Sequence, residues 1–263
     1  MEPVGTITMY FPFMDSETRD IIQTVMDEAD HYHDFVHELN RRVCEEETTE
    51  LAVFFATHHA VVLSDFNLLD RLARKYGKLA IIRPNLLIAS ALKGRDEDFQ
   101  KARDAADYVI SKNPPLWLHL EMLVNKLEAE LFGYPVLFHV DSRDEIEEIL
   151  ERNPDLEFYK SRLYHFLSVR ANKDGDMDTA LEYLEQAIAS SEEHNDLNRY
   201  ARVVRTKAVF IQGRDIKQSV LLLERAGRAL ESLGDSDGFS DVLFQQGKIM
   251  AVRGEYNQAI THI

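Results

Sequence analysis

The chain has 263 residues, 45% of them hydrophobic, with only 7 Pro and 11 Gly; that is enough apolar material for one extended domain or two compact ones, and it excludes a disordered segment. A formal net charge of −16 repels polyanions at long range and argues against nucleic acid as a partner. The single Cys44 excludes an internal disulfide framework and a cysteine zinc knuckle, and its neighbours Glu45, Glu46 and Glu47 would raise a thiol pKa and leave it unreactive.

The opening "MEPVGTITMYFPFMD" carries no basic leader region, and no apolar run approaches the roughly 20 residues that span a bilayer, so the sequence reads as a cytoplasmic chain without a membrane partner. "TITMYFPF" (6–13) is rich in β-branched and aromatic residues and is a candidate strand; Tyr10, Phe11 and Phe13 around Pro12 would pack the chain end onto the first helix or, alternatively, form a docking epitope. From Asp15 or Ser16, apolar residues recur at Ile21, Ile22, Val25, Ala29, Tyr32, Val36, Leu39 and Val43, the spacing of one long amphipathic helix. A second helix follows Thr48 or Thr49 through "ELAVFFATHHAVVL". A third covers "DFNLLDRLARKYG", with Gly77 at its C-terminal cap. "KLAII", ending at Ile82, and "PVLFHV" (135–140) are further strand candidates, of which one or two in all are expected to be real.

Farther on, "GDMDTALEYLEQAIA" (175–189) places Ala180, Leu184 and Ala187 at spacings of four and three behind Gly175. The same spacing recurs at Ser219, Leu223 and Ala226 behind Gly213, and "GEYNQAI" repeats the turn with Gly254 before Ala259. Ala102, Ala106 and Val109 continue the pattern upstream, as do Ser142, Ile146 and Ile149, followed by Pro114 and Pro154 respectively. The anchors Ala102, Ser142, Ala180, Ser219 and Ala259 are separated by 40, 38, 39 and 40 residues, so the stretch is one copy of a repeated unit.

This grammar resembles the tetratricopeptide repeat (TPR), a helix–turn–helix unit of about 34 residues with a small residue, an x3 spacing and a later Pro on its second helix. The match is best over 161–194, with Tyr164, Leu167, Ser168 and Ala171 on the first helix, and Gly247 falls at the small first-helix position of the last copy. With a period of 38 to 40 the chain is a long variant whose helices or loops exceed the family's by about a turn and a half.

The resemblance implies an all-α fold, a right-handed α-solenoid of antiparallel helix pairs. It would comprise an N-terminal helical domain or cap (1–78), degenerate hairpins (79–154) and TPR-like repeats (155–263), the last cut short in a fragment prone to self-association. It further implies a concave groove lined by first helices, here Arg162, His165, Phe166, Val169, Arg205 (or Arg202, depending on register), Asp241, Phe244, Gln245 and Lys248. Such a groove would bind a peptide or helix of another protein. The Lys-Asn-Asn-Lys-Arg clamp some members use for a C-terminal carboxylate is absent, its positions reading His165, Val169, Phe244 and Lys248. The expected function is a non-catalytic adaptor without cofactor, or alternatively the sensory or regulatory arm of a larger signalling or transcription-regulating protein.

One other constellation bears on chemistry. "EADHYHDFVHE" holds Glu28, His31, His33 and His37, where Glu28 and His31 have the Glu-x-x-His spacing of di-metal bundles and His33 and His37 share a helix face. A second Glu-x-x-His is missing, so a solvated polar face is the expectation. His58 and His59, within an apolar segment, are expected in the core. No phosphate-binding, dinucleotide-binding, nucleophile-elbow or zincin motif is present.

Overall fold

The computed structural model describes residues 5–46, 48–132 and 142–255. The fold is all-α, and no β-strand occurs among the described residues. In chain order the helices are α1 (Gly5–Thr8), α2 (Ser16–Glu28), α3 (Tyr32–Glu45), α4 (Glu50–Val62), α5 (Phe66–Tyr76), α6 (Arg83–Leu92) and α7 (Glu97–Ile110), then α8 (Leu116–Phe132), α9 (Ser142–Arg152), α10 (Lys160–Lys173), α11 (Met177–Glu193), α12 (Leu197–Ile211), α13 (Ile216–Ser232) and α14 (Ser236–Val252). Among the described residues no helix is long and apolar enough to cross a membrane.

The strand expectations fail for an identifiable reason. Residues 6–13 form the end of α1 and a 3-10 turn over Phe11–Phe13, in which Pro12 fixes the backbone and removes a donor, and Arg19 donates to the Phe11 carbonyl at 2.9 Å. "KLAII" becomes a 3-10 turn over Ala80–Ile82 that feeds α6, where Pro84 occupies the first turn. In the first, Pro12 at the start of the turn sets a helical φ against the β-branched composition, while the second turn has no proline of its own and leads directly into α6. "PVLFHV" lies outside the described residues.

The long first helix is also corrected: it is two helices, α2 and α3. Ala29 leaves the helical region (φ −96°, ψ 127°), and the His33 N–H donates to the Leu233 carbonyl at 3.0 Å instead of continuing a ladder from α2. Periodicity survives the break because both helices bury the same apolar class of residue: Ile22 and Val25 on α2, Phe35, Val36, Leu39 and Val43 on α3.

The described chain divides into two compact units, one gathering residues of 10–30 and 34–157, the other those of 1–9, 31–33 and 158–263. In the first unit, α4 is buried from Ala52 to Ala60, which explains why its hydrophobic pattern has no polar face. Phe54 and Phe55 lie 5.9 and 5.8 Å from the Trp117 ring of α8, and Tyr10 meets Phe55 edge-on at 5.2 Å. His58, expected in the core, is there, with Nδ1 3.1 Å from Oε1 of the fully buried Glu121. His59 is buried beside it, and burial followed by repulsion from His58 holds its imidazole well below the usual range.

In the second unit each of α10 to α14 packs against the next in the chain, and α10 also touches α12. The connections are short and share one device. An Asp side chain caps each following helix: Asp176 accepts from the Thr179 N–H, Asp196 from Arg199, Asp215 from Gln218 and Asp235 from Gly238. Gly175, Asn195 and Gly234 precede three of these caps in the left-handed region, at φ 86°, 56° and 70°. The α12–α13 connection instead spends one more residue, 212–215, and has no left-handed residue among its described positions.

With turns this short, the extra length of the unit resides in the helices, which run 14, 17, 15, 17 and 17 residues from α10 to α14. The small anchors are sequestered: Ala102, Ser142, Ala180 and Ser219 are each at most 1% exposed, and Ser219 donates its hydroxyl to the Ala208 carbonyl at 2.8 Å. Leu184, Ala187, Leu223 and Ala226 complete the buried stripe at the four and three spacings. The anchor Ala259 lies outside the described residues.

Candidate functional site

On α12, Arg199, Arg202 and Arg205 follow one another at three-residue steps, which places them along one side of the helix with Thr206 beside them. Each reaches a different neighbour. Arg199 Nη1 is 3.5 Å from His165 Nδ1 on α10; Arg202 donates to Asp235 Oδ2 at 3.2 Å and to Asn198 Oδ1 at 2.9 Å; Arg205 donates to Asp241 Oδ2 on α14 at 2.7 Å. Arg202 and Arg205 thus both connect α12 to the start of α14.

A hydrogen-bond chain fixes the state of His165. Thr206 donates its hydroxyl hydrogen to the Arg202 carbonyl at 3.0 Å, so its oxygen must accept from His165 Nε2 at 2.9 Å. Nε2 then carries the proton and Nδ1 is a lone pair directed at Arg199. Burial, reinforced by Arg199, Arg205 and Arg202, holds the imidazole well below its usual range, in keeping with this neutral tautomer. Burial likewise lowers the Arg202 guanidinium, against the attraction of Asp235.

The other sequence-identified groove residues fall into two sets. Phe166 is 6% exposed and lies 5.8 Å beneath the Arg162 guanidinium, itself buried; Val169 is half-buried, so these three shape the unit from within. Phe244 is 45% exposed and lies 5.6 Å from the exposed Lys248 ammonium, while the buried Gln245 Oε1 has no hydrogen-bond partner among the described residues. Accessible apolar and cationic surface thus concentrates on α14 rather than on α10. Sequence reasoning missed Arg199 and Thr206; the signal available was the run of basic residues at helical steps from 199 to 205.

The histidine-rich segment does not assemble as a metal centre. Glu28 ends α2 and pairs with Arg42 at 2.5 Å, and His37 pairs with Asp65 at 3.2 Å. His31 precedes α3 and, with His33, packs against Gly234, where a Cβ would stand 3.2 and 3.3 Å from theirs. The Glu-x-x-His spacing had presumed one continuous helix, and the break at Ala29 removes it. Among the described residues no group of three or more His, Cys, Asp or Glu is placed to hold a metal ion.

No protein-family model matches the chain, and no curated protein matches it significantly in sequence.

Proposed function

We propose that the second unit is a long-period, TPR-like right-handed solenoid of antiparallel helix pairs, and that the chain is a non-catalytic adaptor which binds a segment of another protein across α10, α12 and α14. The repeated cap-and-anchor design supports the architecture: a buried small residue, a short turn and an Asp cap recur along α11 to α14, the way a stack of hairpins shares its apolar surface between neighbours. One observation carries the binding role. In a chain of net charge −16, three arginines stand in file on α12, and Arg205, the last of them, pairs with the exposed Asp241 alone among the described residues. A partner carboxylate could replace Asp241 there at little cost, because exposed ion pairs contribute little to stability. Phe244 and Lys248 next to it would supply an aromatic anchor and a second cation, which suits an acidic amphipathic helix or extended peptide.

Co-purification from native lysate tests the reading, with the wild-type chain beside a variant carrying Arg205→Ala, Phe244→Ala and Lys248→Glu. A specific partner lost by the variant, whose melting remains that of the wild type, supports it. Partners retained by both, or none with either, oppose it.

A further inference from the structure

We propose that the first unit carries a binding site for a small phosphate-bearing molecule of about diphosphate size, in the cleft between α7 and the chain that links α5 to α6. The cleft encloses about 480 Å³, within the range of small-ligand sites. One wall is a single helical stripe, Lys101, Asp104 and Tyr108 on α7, at steps of three and four; the other is Lys78, just beyond α5, and Arg83, which opens α6.

The charges in it are unusual for this chain. Against a net charge of −16, the cleft gathers three cations and one carboxylate. Lys101 is engaged, 2.5 Å from Asp98, whose carboxyl it and Ser90 hold below the usual range. Asp104 accepts from Gln100 at 2.7 Å. Lys78 and Arg83 are both exposed, and neither side chain has a hydrogen-bond or ion-pair partner among the described residues. The two stand five residues apart in the chain, and both converge on one cavity while unpaired among the described residues. Tyr108 is 55% exposed, carries Lys112 4.7 Å over its ring, and keeps its hydroxyl available as a donor.

A fork of five N–H donors on Arg83, the point charge of Lys78 and a phenol donor match the several acceptor oxygens of a phosphate group. The volume exceeds one such group and leaves room for a second. The acidic field of the whole chain disfavours long polyanions, which extend beyond the cleft, far more than a compact ligand contained in it.

Isothermal titration of inorganic pyrophosphate into the full chain at low ionic strength tests the proposal. One saturable site is expected in the wild type. Lys78→Gln with Arg83→Gln should weaken it by roughly tenfold or more, and Asp104→Asn, which deletes the one opposing carboxylate, should tighten it. All three positions are exposed, so melting curves should not move. No saturable binding by the wild type overturns the proposal; so does equal affinity in the double variant, or an Asp104→Asn chain that binds no tighter.

Discussion

Asp235 performs two tasks at once: Oδ1 accepts from the Gly238 N–H at 2.8 Å to cap α14, and Oδ2 accepts from the half-buried Arg202 at 3.2 Å. Asp215 caps α13 in the same way but is exposed and has no arginine partner among the described residues. Asp215→Ala is therefore expected to cost about 1 kcal/mol, the ordinary value of a cap. Asp235→Ala should cost more, about 3 kcal/mol, the low end for a buried pair, because it also leaves the half-buried Arg202 charge without this counter-ion. Chemical denaturation of the two variants checks the difference. Equal losses would mean that Arg202 recovers another partner.

The anchors make a second contrast available on one helix. Ala180 is fully buried on α11, whereas Ala189 on the same helix is exposed. Ala180→Leu should overpack a helix crossing and cost about 1–3 kcal/mol, while Ala189→Leu should stay within about 0.5 kcal/mol. Thermal melts of both would show whether the small residues of the 38-to-40-residue period are packing determinants.

Helical content and the buried stripe were legible in the sequence because an amphipathic helix writes its period directly into the chain. Ala180, Leu184 and Ala187 could be identified before any coordinates, as could the Thr49 cap of α4. What failed depended on backbone events that periodicity does not record. The break at Ala29 preserves the apolar phase on either side of it, and the turns over Phe11–Phe13 and Ala80–Ile82 carry strand-like composition. Of the candidate groove, Phe244 and Lys248 are exposed, but Arg162 and Phe166 are buried, since a packed helix presents two different faces and spacing alone does not rank them.

Acid sensitivity follows from two histidines, the buried His59 and the half-buried His165. In the folded chain His59 and His165 are both held well below 6.5, chiefly by burial, so they are neutral when folded and readily protonated when unfolded. A lowered histidine pKa contributes stability that is fully present above about 6.5 and is lost as pH falls from there toward the folded value, each group adding a slope of up to about 1.4 kcal/mol per pH unit. Glu130, raised by burial, acts in the opposite sense, favouring the fold below 4.5 and losing that effect as pH rises through its folded value. Denaturation between pH 7.5 and 5.0 should therefore show falling stability. His165→Gln should flatten the slope for the second unit and leave the first unit, which contains His59, unchanged. An unaltered slope would place the proton uptake elsewhere.

Gly234 gives the sharpest test of the second unit's turns, because two other glycines share its backbone geometry but not its surroundings. Gly175, Gly234 and Gly254 all take positive φ, at 86°, 70° and 78°, so alanine at any of them meets the same left-handed penalty of about 1–2 kcal/mol. At Gly175 and Gly254 the added methyl would enter open space. At Gly234 it would stand 3.2 Å from the His31 Cβ and 3.3 Å from the His33 Cβ, and these atoms sit next to a backbone bond from His33 to Leu233 that cannot lengthen without being lost. Gly234→Ala should accordingly cost more than either of the others, by about 1 kcal/mol or more of overpacking, and should raise hydrogen exchange at the His33 amide. Three equal losses would show that residues 31–33 yield freely to the turn; a selective loss at Gly234 would show that they are packed against it.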